Sequence, residues 1–395
     1  MKAGWQTKTL GEILEKTETV NPLQLPEAEF DYIDVSSVSN QTFRIEETQR
    51  LKGKDAPSRA RRLVRTNDIL FATIRPTLQR IAIVPDELDN QVCSTGYYVL
   101  RPKSGIDHRF VFYSLFNEDF TEQMESLQKG ASYPAVNDSE IRAQLLSFPS
   151  FPEQQRIVGI LDAAFDGIAT VNVNAEQNLQ NARALFESHL QSVFTQRGEG
   201  WKQKTLEEIS TTFGRGKSKH RPRNDKKLYG GKYPFIQTGD IRNAEHFITE
   251  YSQTYSEAGL AQSKLWPKGT ICITIAANIA ETGILGFDAC FPDSVIGVVA
   301  NPEEADVDFV EYLLQSFKAR IQSMGKGSAQ ANINMGTFEN ERFPFPPVTE
   351  QKQIVAKLDT LSEETQRLEF LYQHKLAALA ELKKSLLYQA FSGAL

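Results

Sequence analysis

Two stretches of the chain carry apolar residues at intervals of three and four, which is the spacing of one buried face of an α-helix. Glycine and proline are scarce in both stretches, so each predicts one long helix, at residues 150–197 and 347–395. The predicted apolar seams are Ile157, Leu161, Ile168 and Leu190 in the first helix, and Ile354, Leu358, Leu361, Leu368, Leu379 and Leu386 in the second.

A helix with a single apolar seam needs a partner that keeps the seam out of water. The second series also includes Tyr372 and Leu382, and Thr365 and Lys375 interrupt it, but its spacing as a whole is typical of a coiled coil. We expect the two helices to pack against each other in antiparallel orientation. The alternative is that each helix folds back on the domain that precedes it.

Residues 1–149 and 198–346 show a different pattern. Short β-rich runs, such as residues 68–74 and 97–100, are separated by proline, glycine and aspartate, and the runs 269–275 and 295–299 repeat this arrangement. One short helical pattern follows the runs in each part. The sequence therefore predicts two mixed α/β domains, each followed by a long helix.

The two halves of the chain are copies of one design. Glu153-Gln154 returns 197 positions later as Glu350-Gln351, and Lys129-Gly130 returns at the same offset as Lys326-Gly327. A repeat of this length indicates a duplicated domain with its connector, because each copy is large enough to bury its own core. Duplicated domains favour two related sites.

The composition is that of an ordinary globular chain: 395 residues, 40% hydrophobic and 24% charged, with a net charge of -6. The cysteines Cys93, Cys272 and Cys290 form no C-x-x-C pair, and the five histidines form no repeated cluster, so we expect reduced thiols and no metal site. No run of about 18 consecutive apolar residues occurs. We interpret the chain as cytoplasmic, without a membrane partner.

Several of these features occur together in one known family. The β-rich run that begins at Asp68, the Lys129-Gly130 loop, and Phe-Pro followed by Glu-Gln at the start of a long helix are all repeated, and residues 390–393 read Ala-Phe-Ser-Gly. This combination resembles the DNA specificity subunit of type I restriction-modification systems over essentially the whole chain.

The resemblance implies a non-catalytic protein with target recognition domains at 1–149 and 198–346, separated by spacer helices at 150–197 and 347–395. Each recognition domain would read one part of a split target in double-stranded DNA. The helices would dock two methyltransferase subunits, to which restriction (translocase and nuclease) subunits are added. No cofactor is expected in this chain, since S-adenosylmethionine, ATP and Mg belong to those partners. Because the two domains differ in sequence, we expect an asymmetric target.

Two basic segments are the first candidates for DNA contact. Residues 50–80 hold nine basic side chains against two acidic ones, and residues 215–232 hold eight against one. Loops rich in arginine and lysine supply salt-dependent contacts to phosphates. The candidates are Arg59, Arg61, Arg62 and Arg65 in the first segment and Lys217, Lys219, Arg221 and Arg223 in the second. The alternative is that both are solvated charged loops.

A second pair of candidates is the repeated Lys-Gly loop, where the frame is shared and the central side chains differ. Glutamine and asparagine can each hold adenine by two hydrogen bonds, which favours Gln330 and Asn332. The candidates are Lys129, Ser132, Tyr133 and Asn137 in the first loop, and Lys326, Ser328, Gln330, Asn332 and Asn334 in the second. The alternative is a turn whose Asn137 and Asn334 serve only the backbone.

Two other classes of function remain open from the residues alone. A coiled-coil protein-interaction scaffold would leave the basic loops solvated. An enzyme with duplicated active sites is disfavoured because no carboxylate pair, Cys/His set or Ser/His set recurs in both halves, and we predict no catalytic residue.

Overall fold

A computed structural model describes residues 4–130, 133–196, 198–220, 222–276, 278–324 and 335–395. The chain divides into two compact units. The first comprises Met1–Glu176 and Gln373–Leu395, and the second comprises Gln177–Tyr372.

The first unit contains strands that pair as three sheets, with orders β1-β9, β3-β2-β7-β4 and β6-β5-β8. We call its strands and short helices the first head. The strands are β1 (Gln6–Thr9), β2 (Glu29–Ile33), β3 (Gln49–Lys52), β4 (Ala60–Leu63), β5 (Ile69–Ala72), β6 (Ile81–Ile83), β7 (Val92–Ser94), β8 (Tyr97–Leu100) and β9 (Leu145–Phe148). The short helices are α1 (Leu10–Ile13), α2 (His108–Ser114), α3 (Glu118–Leu127) and α4 (Asp138–Arg142).

The β-rich runs predicted from the sequence form the centre of this head. Every side chain of β5 and β8 is buried, which explains why both runs are continuously apolar. Phe110 and Val111 of α2 pack into the same core as Ile69 and Phe71 of β5.

The second unit contains the second head, with sheets ordered β10-β20, β14-β12-β18-β15 and β11-β19-β16-β17-β13. Its strands are β10 (Lys202–Lys204), β11 (Ser210–Arg215), β12 (Tyr229–Phe235), β13 (Phe247–Ile248), β14 (Gln253–Tyr255), β15 (Leu265–Trp266), β16 (Ile271–Thr274), β17 (Thr282–Leu285), β18 (Ala289–Cys290), β19 (Val295–Ala300) and β20 (Phe343–Phe345). Its short helices are α6 (Thr238–Arg242), α7 (Glu257–Ala261), α8 (Val307–Met324) and α9 (Met335–Glu339).

The two heads share a strand topology. The order β3-β2-β7-β4 matches β14-β12-β18-β15, including a parallel pair at the centre, β2 with β7 and β12 with β18. The order β6-β5-β8 matches β17-β16-β19, and the second head extends that sheet by β11 and β13. The mixed α/β fold and its duplication are therefore confirmed, and the second copy is the more elaborate.

Two helices of 45 residues each, α5 (Phe151–Thr195) and α10 (Val348–Ser392), follow the two heads. In the first unit, Leu161 near the start of α5 shares a core with Leu387 near the end of α10. In the second unit, Leu190 near the end of α5 shares a core with Leu358 near the start of α10. The helices therefore run antiparallel, as predicted. Both cores also include residues of a head, so helix-on-helix and helix-on-head packing occur together.

The repeated Glu-Gln motif fixes the start of each long helix. Gln154 is buried, and its amide donates to the carbonyl of Pro149 at 3.0 Å and accepts from the backbone N–H of Asp107 at 2.8 Å. In the second copy, Gln351 donates to the carbonyl of Pro346 at 2.8 Å and accepts from the N–H of Asp306, also at 2.8 Å. Each glutamine thus joins the first turn of its helix to the loop before α2 or α8.

Within the described part of the chain, one helix, α5, is long and apolar enough to cross a membrane by length and composition alone. This is weak evidence for a membrane span. Ile157 and Leu161 of α5 are buried in the core of the first unit, and Phe194 is buried in the core of the second. These protein contacts bury part of the apolar surface of α5.

Candidate nucleic-acid interface

The first basic segment lies on and beside strand β4. Arg61 and Arg62 are residues of β4, so the prediction that they lie in a loop was wrong. Arg62 donates to the carboxylate of Asp138 at 2.8 Å, and its side chain is only 18% exposed. Arg59, in the turn before β4, is exposed. Of these three arginines, Arg59 is placed most openly for a phosphate contact.

Carboxylates from earlier in the chain lie against much of the basic surface. Glu18 forms an ion pair with Arg65 at 3.2 Å, and Glu27 forms one with Lys52 at 3.1 Å. Exposed ion pairs of this kind contribute little to stability and are weakened by salt. The local excess of positive charge read from the sequence is therefore smaller in space than along the chain.

The second basic segment does not occupy the equivalent place in the second head. Strand β15 is the counterpart of β4, whereas residues 217–223 follow strand β11. Lys217 and Lys219 are exposed in irregular backbone, as the loop prediction requires. Arg223 donates to both carboxylate oxygens of Asp293, at 2.9 and 3.0 Å. Each head therefore has a basic segment, but the two segments stand at non-equivalent places in the repeated topology.

The loop that contains Lys129 is fastened to the hairpin between β5 and β6. Lys129 and Ala135 exchange two backbone hydrogen bonds of 2.9 Å, and Gly130 between them has φ +106°, a conformation that disfavours other residues. The N–H of Val136 donates to the carbonyl of Thr73 at 3.0 Å. The loop is thus held against the turn that follows β5.

The predicted side chains of this loop have different roles. Tyr133 is 73% exposed, and Lys129 is exposed and forms an ion pair with Glu140 at 2.9 Å. Asn137 is the N-cap of α4, where its side-chain oxygen accepts from the N–H of Glu140 at 2.9 Å. Asn137 therefore bonds to the backbone, which was the alternative stated from the sequence, whereas Lys129 and Tyr133 face solvent.

Seven predicted contact residues lie outside the described residues: Ser132, Arg221, Lys326, Ser328, Gln330, Asn332 and Asn334. They remain predictions from the sequence.

One residue that the sequence did not single out lies beside Tyr133. The guanidinium carbon of Arg75 is 5.5 Å from the centre of the Tyr133 ring, within range of a cation–π contact. The N–H of Arg75 donates to the carbonyl of Pro134 at 2.7 Å. The available signal was its place before Pro76, in the turn directly after a buried strand.

The predicted seam residues divide between the two units. Ile157, Leu161 and Ile168 are buried in the first unit, and Leu190 and Leu358 are buried in the second. Those that are partly exposed are Ile354, Leu361, Leu368, Leu379 and Leu386. Opposite charges add to the helix pairing in the second unit, where Arg183 of α5 and Glu369 of α10 lie 2.8 Å apart.

The described residues offer no group of three or more His, Cys, Asp and Glu that could hold a metal ion. All three cysteines are buried and free, as expected, and burial raises the pKa of the Cys93 thiol to about 12. A thiol with so high a pKa is a poor nucleophile near neutral pH.

A family model decides among the classes of function. The model described as "Type I restriction modification DNA specificity domain" matches residues 2–181 and again residues 198–373, one match in each copy of the repeat. The chain belongs to this family. As a type I specificity subunit it carries two recognition domains and is the non-catalytic component of a restriction-modification system, so the resemblance stated from the sequence is confirmed.

Individual relatives agree with the family. The specificity subunit is 23% identical over 408 residues to the type I restriction enzyme HindI specificity subunit of Haemophilus influenzae, covering 82% of this chain and 85% of that one. The solved HsdS subunit from Thermoanaerobacter tengcongensis is 27% identical and aligns with a TM-score of 0.72, covering 100% of this chain and 98% of that one.

A second solved chain, described under complex assembly and conformational transition of the type I R-M system, is also 27% identical. It aligns with a TM-score of 0.87, over 100% of the specificity subunit and 99% of its own length. Because both neighbours cover nearly their whole length, the likeness includes the heads and the long helices together.

Proposed function

We propose that this specificity subunit reads an asymmetric two-part target in double-stranded DNA, one part with each head. The observation that carries the proposal is that the heads share a strand topology but not a surface. The second head adds β11 and β13, and the two basic segments stand at non-equivalent places. Two heads that share a strand topology but present different surfaces favour two different half-targets.

The recognition domains in this proposal are residues 1–149 and 198–346, and the spacers are residues 150–197 and 347–395. The candidate contacts are the exposed residues Arg59, Lys129, Tyr133, Lys217 and Lys219. The net charge of -6 is unfavourable for binding a polyanion. We therefore expect the isolated chain to bind DNA weakly and the assembled complex, located in the cytoplasm, to bind it tightly.

The long helices are proposed to dock two methyltransferase subunits, to which restriction subunits are added. Two apolar side chains of α10 support this role, because Phe370 is 69% exposed and Leu371 is 56% exposed. Neither belongs to the predicted apolar seam of that helix. Exposed apolar groups close together are typical of interaction surfaces. S-adenosylmethionine, ATP and Mg would act in the partner subunits.

The experiment is randomised-duplex selection on the full-length chain purified with its methyltransferase subunits. A two-part site with a fixed gap and two different halves is the expected result. Exchanging residues 198–346 for the same domain of a relative should then change one half only. A perfect palindrome would contradict the asymmetric target. Failure to enrich any sequence at low salt would favour the protein-interaction scaffold instead.

A further inference from the structure

The hairpin between β5 and β6 in the first head has an unusual backbone. Arg75 and Gln79 both have φ +50°, in the left-handed region, and they flank the short turn Pro76–Leu78. The equivalent hairpin of the second head, between β16 and β17, contains Ala280 at φ +61°. Non-glycine residues in this region are strained and tend to occur at functional sites. Both heads have such residues in the same hairpin.

Neighbouring backbone holds the strained residue in place. The N–H of Arg75 donates to the carbonyl of Pro134, at 2.7 Å, and the N–H of Thr73 donates to the carbonyl of Gly96, at 2.8 Å. These bonds tie the hairpin to the Lys129 loop on one side and to the chain before β8 on the other. The position from which the Arg75 side chain leaves the backbone is therefore fixed.

The Tyr133 ring lies beside the far end of that side chain. The guanidinium of Arg75 lies over the ring at 5.5 Å, and both residues are exposed to solvent. A guanidinium whose plane is fixed can give two parallel hydrogen bonds to O6 and N7 of guanine, the commonest base-specific contact in the major groove. A phosphate contact requires the positive charge but no fixed plane. The arrangement favours a base over a phosphate.

We propose that Arg75 reads a guanine in the half-target of the first head and that Tyr133 is a positioning residue for its guanidinium. This inference rests on the proposed function, because it supplies the base chemistry of one half-target. It makes Arg75 a specificity-determining residue in addition to those predicted from the sequence.

The test compares the full-length complex with methyltransferase subunits carrying wild-type chain, Arg75→Lys, Arg75→Ala, Tyr133→Phe or Tyr133→Ala. Each complex undergoes randomised-duplex selection and a binding titration at several salt concentrations. Arg75→Lys keeps the charge but loses the planar fork. Both Arg75 variants should bind the selected site roughly 5- to 150-fold more weakly and lose the preference for guanine at one position. Tyr133→Phe keeps the ring and should behave as wild type, whereas Tyr133→Ala should relax the same position.

The half-target of the second head is the internal control, because its unchanged preference shows that a variant complex is folded and assembled. Loss of affinity that is equal for all sequences, with Arg75→Lys restoring it, would identify a phosphate contact and overturn the inference. Unchanged preference at every position in both Arg75 variants would also overturn it. If the wild-type complex selects no two-part site, the proposed function itself fails, and the inference fails with it.

Discussion

The hydroxyl of Tyr312 on helix α8 donates a hydrogen bond of 2.8 Å to the carboxylate of Asp359 on helix α10. Tyr113 on α2 makes the same bond to Asp162 on α5, at 2.5 Å. Burial and the hydrogen bond to the aspartate raise the pKa of both phenols, so both remain protonated donors across the physiological range. The repeat thus preserves a polar link between each head and its helix.

Replacing Tyr312 with phenylalanine should weaken that link in the second unit. A hydrogen bond to a charged group contributes about 1.5–3 kcal/mol, so Tyr312→Phe should lower the free energy of unfolding by about that amount. Hydrogen exchange of α8 peptides measures the effect locally. Tyr113→Phe is the matched control and should cost less, because Arg109 still lies 2.6 Å from Asp162. Equal losses in the two variants would contradict this explanation.

A mostly buried histidine packed against α8, His246 in the loop between α6 and β13, makes the second unit sensitive to pH. Nε2 of His246 lies 3.1 Å from Asp308, and Nδ1 lies 2.7 Å from Glu311, whose side chain is fully buried. The ring also stacks on Tyr312, with 4.7 Å between ring centres. Burial of His246 lowers its pKa, but the hydrogen bonds and charges of Asp308 and Glu311 outweigh it and raise the pKa to about 9.

Because the pKa of His246 is higher in the folded chain than in the unfolded one, its protonated form stabilises the fold. That contribution should be complete below about pH 6.5, the usual pKa of histidine, and should disappear as the pH rises to about 9. Its size is on the order of 3 kcal/mol. Denaturant unfolding of the second unit at a series of pH values measures it. His246→Gln should remove this slope, and an unchanged slope in that variant would assign it to another group.

The sequence predicted those parts of the fold that depend on periodic patterns. The continuous apolar runs became the buried strands β5 and β16, and the three-and-four spacing became the helices α5 and α10. Their antiparallel packing followed because one apolar seam requires a partner. These features depend on the burial of many side chains at once, and such burial is visible in a single sequence as a regular pattern of apolar residues.

The sequence did not predict the exact buried face of α10 or the ion pairs between residues that are distant along the chain. Leu382 continued the predicted seam but is exposed, whereas Lys383 lies between the rings of Phe43 and Phe165, at 4.7 and 5.2 Å. A helix of 3.6 residues per turn drifts away from a strict heptad, so the buried face moves by one residue. Similarly, the carboxylates that pair with the first basic segment include Glu18, Glu27 and Asp138, which no local count of charge includes.

The exposed apolar pair on α10 gives a test of docking. Because Phe370 and Leu371 are mostly exposed, changing both to alanine should alter the free energy of unfolding by less than about 1 kcal/mol. If they contact a methyltransferase subunit, the double variant should retain that subunit roughly 30-fold more weakly, a loss typical of interface hot spots. Analytical ultracentrifugation of the complex measures retention. The contrasting variant is Leu358→Ala, which lies in the core and should destabilise the second unit by about 2–5 kcal/mol.

Variants of Arg59 and Arg62 should distinguish a phosphate contact from a structural ion pair within one short segment. Arg59 is exposed, so Arg59→Ala should reduce the slope of log affinity against log salt concentration by about 1 without relaxing sequence preference. Arg62 is mostly buried and paired with Asp138, so Arg62→Ala should leave the slope unchanged and destabilise the first head by about 1 kcal/mol. Asp138→Asn removes the same ion pair and should reproduce the stability loss. A reduced slope for Arg62→Ala, with stability intact, would instead place Arg62 on the DNA, and an unchanged slope for Arg59→Ala would contradict the phosphate contact of Arg59.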